Sequence, residues 1–298
     1  MKKGLFALVL ITLPFVGFMQ VSVDANDIIS KLNKGEAARY ENVTITGDLD
    51  FRLIEDKEIE KDFEVIFNKQ VTIKYHVNAP MQFSNCTFNG NIIGYYNDDD
   101  KNELHIAMFH ENVNFSKCTF NKDFLVKYSK FHKTATFPEN IYEELALFKY
   151  AKFSSEVDFS KSVFKEDANF KYTKFPENVT FSRSEFLEDA TFKYTKCNDK
   201  VDFSYCEFEG LADFKYIELD EYVDFSNSKF QSDAIFKYVK FPDGVSFENA
   251  LFDDFADFKY AKFYNPVNLD NVTFDGETSF KYTEIEGKEF VTYILKNR

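Results

Sequence analysis

Residues 168–189 read ANFKYTKFPENVTFSRSEFLED, and residues 190–211 read ATFKYTKCNDKVDFSYCEFEGL. Both stretches begin with alanine and carry Phe-Lys-Tyr at the same offset. The tripeptide returns every 22 residues, at positions 148, 170, 192, 214, 236, 258 and 280, and Val-Lys-Tyr at 126 extends the series backwards. Within each unit the apolar anchors alternate between spacings of five and six residues, as at Phe170, Phe175, Phe181 and Phe186. Each unit therefore consists of four short segments built alike.

The spacing of these anchors indicates how the segments fold. An average spacing of about 5.5 residues fits neither the helical period of 3.6 nor a long strand of period 2. Within a segment, however, the anchor and the residue two positions before it point the same way in an extended chain. Four extended segments joined by corners close one coil, and stacked coils form a β-solenoid. The sequence therefore predicts an all-β fold with a core of phenylalanine columns.

The segments ANFKYTKF (168–175) and VDFSYCEF (201–208) resemble the repeats of pentapeptide-repeat proteins, over about residues 67–286. This resemblance implies a right-handed quadrilateral β-helix. The chain departs from the usual repeat by adding one residue to every second segment and by using Phe where Leu is commoner. In both respects it is similar to a Phe-rich branch of the family with 5/6 spacing, which implies a slightly wider coil.

The two ends of the chain lack the repeat. Lys2 and Lys3 precede an apolar run at 4–19, and small residues follow at 23–25, so residues 1–25 are predicted to be a secretory signal peptide. An uncleaved anchor is the alternative, because the run approaches membrane length; after cleavage no membrane span is expected. We predict an N-terminal cap with a short helix and an irregular first coil at 26–66. The solenoid follows at 67–286 with an insertion at about 89–104, and a C-terminal cap at 287–298 ends the chain.

Charge limits the classes of partner. The net charge is −14 and the pI is near 4.9. An acidic balance keeps an exported protein soluble and disfavours binding to a phosphate backbone, so no nucleic-acid partner is expected. Only four arginines occur, which removes most of the bidentate groups that recognise phosphates.

Outward positions of the repeat carry lysine and tyrosine in register. They form either a surface for an anionic or carbohydrate polymer, or solvated residues that duplication copied and that discourage aggregation. We call this set the Lys–Tyr stripe; it comprises Lys149, Tyr150, Lys152, Lys171, Tyr172, Lys174, Lys193, Tyr194, Lys196, Lys215, Tyr216, Lys237, Tyr238, Lys240, Lys259, Tyr260 and Lys262.

A few other residues are candidates for chemistry. Cys86 and Cys118 occupy equivalent inward positions, so they form either a disulfide or two buried thiols. The acidic run at 97–103 lacks the spacing of a calcium loop and is interpreted as a solvated loop. The four histidines, scattered through residues 76–132, are assigned to packing or to the surface. Five asparagines begin glycosylation sequons: Asn42, Asn85, Asn114, Asn178 and Asn271.

No nucleophile motif, phosphate loop or paired-carboxylate arrangement interrupts the repeat. The sequence therefore predicts a protein that is not an enzyme, with no catalytic residue, metal site or cofactor. The leading hypothesis is a secreted or cell-envelope scaffold that binds a protein or an anionic or carbohydrate polymer, with a homodimer through the solenoid end or side as a further option. Two alternatives stay open. One is an acidic DNA mimic that binds a topoisomerase, as the family resemblance implies, and the other is a β-helix enzyme acting on polysaccharides.

Overall fold

Short parallel strands on four faces define the architecture. The computed structural model describes residues 21–61 and 70–290. In the regular part each strand pairs with the strand one coil further along the chain, for example Ala168 with Ala190 and Val179 with Val201. Since each coil contributes one strand to each face, the chain is a parallel β-solenoid, and the predicted fold class is confirmed.

The strands of each face follow one another along the solenoid. Face 1 contains Leu49–Asp50, Ile92–Ile93, Phe124–Leu125, Ala146–Leu147, Ala168–Asn169, Ala190–Thr191, Ala212–Asp213, Ala234–Ile235, Ala256–Asp257 and Thr278–Ser279. Face 2 contains Lys57–Lys61, Val71–Val77, Tyr95–Asp98, Glu103–Phe109, Lys130–Phe131, Lys174–Phe175, Lys196–Cys197, Glu218–Leu219, Lys240–Phe241, Lys262–Phe263, Glu284–Ile285 and Lys288–Glu289.

The two remaining faces complete each coil. Face 3 contains Ala38–Glu41, Met81–Ser84, Val113–Ser116, Ala135–Thr136, Val157–Asp158, Val179–Thr180, Val201–Asp202, Val223–Asp224, Val245–Ser246 and Val267–Asn268. Face 4 contains Val21–Asp24, Val43–Thr46, Thr87–Phe88, Thr119–Phe120, Ile141–Tyr142, Val163–Phe164, Glu185–Phe186, Glu207–Phe208, Lys229–Phe230, Leu251–Phe252 and Thr273–Phe274. Among the described residues, an α-helix spans Ala25–Asn33 and a 3-10 turn spans Phe51–Leu53.

The core consists of aromatic columns that run along the solenoid. Phe170 is fully buried, and its ring centroid lies 5.0 Å from that of Phe148 and 5.1 Å from that of Phe192, in nearly parallel planes. Across the coil it meets Phe181 edge to face at 5.1 Å. Stacked and edge-to-face rings each add about 0.5–1.5 kcal/mol beyond the burial of their area. The repeated phenylalanine therefore supplies both burial and register.

Small hydroxyl residues at the corners satisfy buried carbonyl groups. Thr173 Oγ1 donates to the carbonyl of Phe148 at 2.9 Å, and Ser184 Oγ donates to that of Phe159 at 2.8 Å. Each bond joins one coil to the preceding one. Because an unpaired buried polar group costs about 1–3 kcal/mol, these hydroxyls stabilise the corners as well as the stacking.

Two prolines interrupt the ladder on face 2. At the equivalent position of a regular coil, the backbone N–H of Asn198 donates to the carbonyl of Phe175 at 2.9 Å. Pro176 and Pro242 have no N–H there. Face 2 is accordingly divided, because Lys152 and Lys174 form only an isolated bridge and the strands at 218–219 and 240–241 belong to separate sheets.

Antiparallel strands extend face 2 near the N-terminal end of the solenoid. Tyr95–Asp98 pairs with Glu103–Phe109 as a hairpin, and Lys57–Lys61 pairs with Val71–Val77. We call these four strands the side sheet. The hairpin accounts for the 32-residue spacing between Phe83 and Phe115, which are direct partners on face 3. Residues 62–66 of the predicted N-terminal cap and first coil (26–66) lie outside the described residues.

A helix covers the N-terminal end of the core. Ala25–Asn33 buries Ala25, Ile28, Ile29 and Leu32, and its N-cap Asp24 accepts a hydrogen bond from the backbone of Asn26 at 2.8 Å. The preceding strand, Val21–Asp24, pairs in parallel with Val43–Thr46. Residues 21–25 fall within the predicted signal peptide, yet here they belong to the solenoid and its cap. Residues 1–20, which include the apolar run, lie outside the described part of the chain.

An aromatic residue covers part of the C-terminal end. The ring of Phe290 stacks on that of Phe280 with centroids 4.6 Å apart, and Lys288–Glu289 turns back antiparallel to Glu284–Ile285. The remainder of the predicted C-terminal cap, residues 291–298, lies outside the described residues. Within residues 21–61 and 70–290, no helix has the length and apolarity needed to cross a bilayer.

Candidate functional site: the Lys–Tyr stripe

The tyrosines of the stripe occupy the corner between faces 1 and 2. Each follows an inward phenylalanine by two residues and has left-handed backbone, with φ of 61° at Tyr172 and 58° at Tyr194. Left-handed backbone costs a residue with a side chain about 1–2 kcal/mol. The corner repeats this conformation from Tyr128 to Tyr282. The turn therefore directs every tyrosine outward at the same place in its coil.

The tyrosine rings stack on one another. From Tyr150 to Tyr282, neighbouring ring centroids lie 4.6–5.0 Å apart. The planes of Tyr172 and Tyr194 differ by only 3°. Because neighbours cover both faces of each interior ring, the column presents ring edges and hydroxyl groups to a ligand. Face-on packing against a sugar ring, a common way for tyrosine to bind neutral carbohydrate, is therefore blocked inside the column.

Lysines flank the column on the face 1 side. The Nζ atoms of Lys149, Lys171, Lys193, Lys215 and Lys237 lie 5.2–5.7 Å from the centroid of the tyrosine that follows each of them. Such cation–π contacts are worth about 0.5–1 kcal/mol at exposed sites. Burial, together with repulsion from neighbouring lysines, lowers the pKa of Lys149 below its ordinary value. The row is thus crowded with positive charge that no carboxylate of the same row offsets.

A second row of lysines lies on face 2. Lys152, Lys174 and Lys196 are consecutive partners in register. Glu218 takes the next position, beside Lys196. Further along, Lys262 Nζ lies 2.9 Å from a carboxylate oxygen of Glu284. The second row is therefore most uniformly basic between Lys152 and Lys196.

The N-terminal end of the stripe contacts the side sheet. Lys127 Nζ donates to the hydroxyl of Tyr95 at 3.0 Å, and the ring of Tyr95 lies 6.0 Å from that of Tyr128. Tyr95 belongs to the hairpin rather than to the repeat. Periodicity could not predict this contact because it is confined to one coil.

Many carboxylates on the other faces already have partners. Asp202 Oδ1 accepts a hydrogen bond from the backbone N–H of Ser204 at 2.8 Å, and Asp158 and Asp224 make the same contact in their own coils. At the corner after face 4, Lys165 Nζ lies 2.9 Å from a carboxylate oxygen of Glu143 in the neighbouring coil. The carboxylates of Asp158, Asp202, Asp224 and Glu143 therefore have local partners away from the stripe.

Cys86 and Cys118 do not form the hypothesised disulfide in the structure. Both are free, buried thiols. Cys86 Sγ donates to the carbonyl of Ser84 at 3.3 Å, and Cys118 Sγ donates to that of Ser116 at 3.5 Å. The neighbouring Cys86 thiol and burial together raise the pKa of the Cys118 thiol. The second hypothesis, two thiols packed in a column of small residues, describes the structure.

The sequon asparagines lie on the outside of the coils. Asn42, Asn85, Asn178 and Asn271 are exposed, whereas Asn114 is half-buried. Asn114 Nδ2 donates to Thr136 Oγ1 at 2.6 Å, and Asn85 Nδ2 donates to Asn42 Oδ1 at 2.6 Å. The four exposed asparagines are therefore accessible to solvent, but the Nδ2 groups of Asn85 and Asn271, like that of Asn114, would have to leave their partners to be glycosylated.

The histidines are less scattered than the sequence indicates. His76 Nδ1 and His110 Nε2 lie 2.8 Å apart, and the ring of His132 stacks on that of His110 at 4.5 Å. Burial lowers the pKa of His110 and His132. His105 lies elsewhere on the side sheet, beside the hydroxyl of Tyr75.

The fold and the repeat together define a class of protein. The chain is a four-sided parallel β-solenoid built from tandem segments with inward phenylalanine. The family model for pentapeptide repeats (9 copies) matches residues 148–196 and 214–262. The segments at 148–196 and 214–262 are therefore pentapeptide repeats, as the sequence resemblance predicts.

Comparison with other proteins adds little beyond the family. No curated relative matches the chain. A similar solved structure is that of HetL from the cyanobacterium Nostoc sp. strain PCC 7120, a pentapeptide-repeat protein involved in the regulation of heterocyst differentiation. The two share 6% sequence identity with a TM-score of 0.28, over 90% of this chain and 99% of HetL. The fold assignment rests instead on the strand pairing described above and on the family match.

Proposed function

We propose that the protein is a non-enzymatic scaffold that binds an extended anionic polymer of the cell envelope along the Lys–Tyr stripe. The observation that carries this proposal is the stacked tyrosine column with a lysine row on either side. Neighbouring tyrosine ring centroids lie 4.6–5.0 Å apart, so positive charges and hydroxyl groups follow one another at regular intervals along one corner. A polymer with regularly spaced carboxylate or sulfate groups can contact several coils at once. Many weak contacts then add up to useful affinity.

The geometry favours an anionic polymer over a neutral glycan. The faces of the interior tyrosine rings are covered by their neighbours, so the groups that remain are ammonium ions and phenolic hydroxyls. Burial and, after it, repulsion from Lys127 and Lys171 lower the pKa of Lys149. A bound anion relieves that repulsion, so binding is coupled to protonation of Lys149.

The net charge of −14 does not oppose such binding at short range. The Debye length is about 8 Å at physiological ionic strength, so carboxylates on the far walls are largely screened from a ligand on the stripe. The overall charge does act at longer distance, where it slows the approach of a polyanion. We therefore expect selective binding to this corner rather than general adhesion.

Export is the second part of the proposal. The apolar run at 4–19 after Lys2 and Lys3 supports a secretory signal and hence a secreted or envelope location. An envelope location would bring the stripe close to anionic surface polymers. The DNA-mimic alternative fits less well, because the lysine rows break the continuous negative surface that such a mimic needs. A polysaccharide-active enzyme needs paired acids in a cleft. The carboxyl groups of Glu221 and Asp243 do interact, which raises the pKa of Glu221, but Asp243 is exposed at the surface of the solenoid.

The proposal is tested by reversing charge on the stripe. We expect Lys171→Glu, Lys193→Glu and Lys215→Glu, combined in one chain, to weaken binding of labelled dextran sulfate at least about tenfold, a loss of about 1.4 kcal/mol. The matched control combines Lys117→Glu, Lys161→Glu and Lys200→Glu, which change the net charge equally but lie off the stripe. Affinity is measured by fluorescence anisotropy at low and at physiological ionic strength.

Three outcomes would contradict the proposal. Equal losses in the two triple variants would show that net charge, not the stripe, controls binding. Equal binding of neutral dextran would show that charge is not recognised. Preference for duplex DNA or for a topoisomerase over dextran sulfate would instead favour one of the alternatives.

A further inference from the structure

The side sheet carries a cluster of metal-ligating side chains that lies outside the stripe. In the hairpin Asp98 is the direct partner of Glu103, and Tyr96 is the partner of His105. Alternate residues of a strand point to the same side, so Asp98, Glu103 and His105 share one side of the sheet. The tight turn between the strands therefore brings together three groups that the sequence distributes over eight positions.

The three side chains converge on a small volume. One ligand atom from each of Asp98, Glu103 and His105 lies within 4.8 Å of the other two. The exposed fractions of the three side chains are only 15%, 28% and 12%, respectively. Among residues 21–61 and 70–290, no other three His, Cys, Asp or Glu side chains converge in this way. The stacked histidines His76, His110 and His132 do not meet that condition, even though their rings touch.

The orientation of His105 suits coordination. Its Nδ1 lies 2.8 Å from the hydroxyl of Tyr75, and its Nε2 lies 3.4 Å from Glu103 Oε2. When Nδ1–H donates to Tyr75, the lone pair of Nε2 points toward the carboxylates. Ligating histidines characteristically use their second ring nitrogen in this way, because the outer hydrogen bond fixes the tautomer and the ring plane.

Two cations lie near the cluster, one held away from it and one on Asp98. Arg52 is held by Asp50, with Nη2 2.7 Å from Oδ2, and its guanidinium lies over the ring of Tyr96 at 4.3 Å. Lys101 Nζ lies 2.9 Å from Asp98 Oδ2, and its side chain is 68% exposed. Lys101 is therefore an exposed cation that neutralises part of the cluster and competes with a metal for Asp98.

We propose that Asp98, Glu103 and His105 bind a divalent transition-metal cation of the zinc class. Two carboxylate oxygens and one imidazole nitrogen suit Zn²⁺, whereas Mg²⁺ and Ca²⁺ prefer oxygen ligands alone and in greater number. Water completes the coordination. Metal binding displaces Lys101 from Asp98 and ties the two strands of the hairpin together across their turn. The sequence predicts a solvated loop at 97–103 and no metal site, because the strand pairing that creates the cluster follows no repeat.

A metal here would also influence the stripe. The hairpin that holds the cluster carries Tyr95, whose hydroxyl accepts a hydrogen bond from Lys127. Ordering the hairpin therefore fixes the aromatic residue that continues the tyrosine column at its N-terminal end. The metal proposal does not depend on the polymer proposal, since it rests on different residues and a different ligand.

The test uses the full chain freed of metal with a chelator. Isothermal titration calorimetry with Zn²⁺ is expected to show one site, and Co²⁺ is expected to give a visible d–d absorption band. His105→Gln should weaken Zn²⁺ binding at least about tenfold, whereas His132→Gln, a matched change in the histidine stack, should leave it unchanged. Lys101→Met should tighten binding because it removes the competing cation. Circular dichroism of each variant confirms that the solenoid is intact.

The results separate the possibilities clearly. Absence of Zn²⁺ binding by the wild-type chain would overturn the proposal. So would equal affinity of wild type and His105→Gln, or loss of binding in His132→Gln instead. Tighter binding of Mg²⁺ than of Zn²⁺ would refute the assigned class of metal. The predicted pattern, weaker with His105→Gln and tighter with Lys101→Met, is not expected from a purely structural role of the cluster.

Discussion

Tyr142 occupies a phenylalanine position of the repeat and differs from phenylalanine by one buried hydroxyl oxygen. Its ring stacks between Phe120 and Phe164 at centroid distances of 5.1 and 4.7 Å, so it fills a phenylalanine position. Its hydroxyl is buried without a hydrogen-bond partner in the described structure. Nearby Asn140 donates to the carbonyl of Phe115 and accepts from the N–H of Cys118. Burial accordingly raises the pKa of Tyr142.

Removing this hydroxyl should stabilise the protein. An unpaired buried hydroxyl costs about 1–3 kcal/mol, so we expect Tyr142→Phe to raise the free energy of unfolding by about 1 kcal/mol. The control is Tyr172→Phe, whose hydroxyl lies on the surface and whose loss should change stability by less than about 0.5 kcal/mol. Urea titration followed by circular dichroism measures both. A destabilised Tyr142→Phe variant would show that the hydroxyl has a partner in solution.

The N-terminal strand and helix form one element of the cap. Val21–Asp24 continues face 4 by one strand, and Asp24 then caps the helix that closes the core. Ala25 has no exposed surface. A signal cleavage after Ala25 would therefore remove a strand, a helix cap and a buried residue together.

Where the mature chain begins should thus affect stability. We expect a chain that starts at Val21 to unfold at a higher temperature than one that starts at Asn26. The cap alone is worth about 1 kcal/mol, and the strand adds its ladder bonds. Asp24→Ala in the longer chain separates the two contributions, because it removes the cap and keeps the strand. Identical unfolding midpoints for the two chain lengths would contradict the assignment of residues 21–25 to the folded domain.

The repeat could be predicted from sequence more completely than any other element. Phe170 and its equivalents define inward columns by spacing alone, because each coil repeats the same local environment. The pairing of Asp98 with Glu103 could not be predicted, since an antiparallel hairpin inserted once leaves no period to detect. The stripe residues were likewise identified by position, but whether the rings of Tyr172 and Tyr194 would stack or splay depends on the left-handed corner. Features that recur in every coil could therefore be predicted from the sequence, whether or not they are buried. Features that occur once, such as the hairpin, could not.

Across the whole molecule, neighbouring coils are interchangeable. A single coil buries too little to fold by itself, because ordering each residue costs about 1–2 kcal/mol while a buried phenylalanine returns about 2–3 kcal/mol. Stability therefore comes from the interfaces between coils, as in other solenoids. Since Ala168 pairs with Ala190 and Ala190 with Ala212, removing one complete coil lets the same columns meet again.

Deleting residues 190–211 should therefore preserve the fold. We expect cooperative unfolding with a modestly lower midpoint, and a continuous tyrosine column in which Tyr172 meets Tyr216. The control deletes residues 190–200, which turns all later segments by two faces and moves Tyr216 to the opposite wall. That shorter deletion should have the lower urea midpoint although it removes fewer residues. If the shorter deletion were the more stable one, coil register would not control the fold.

The tyrosine column also gives the protein an optical property. The chain contains no tryptophan, so its intrinsic emission comes from tyrosine alone. Rings as close as Tyr172 and Tyr194, 4.8 Å apart, can exchange excitation energy with their neighbours. Light absorbed at one coil can therefore migrate along the corner before it is emitted. A quencher bound at one end would reduce the tyrosine fluorescence of residues several coils away. The fluorescence of the column would therefore report whether a ligand is bound.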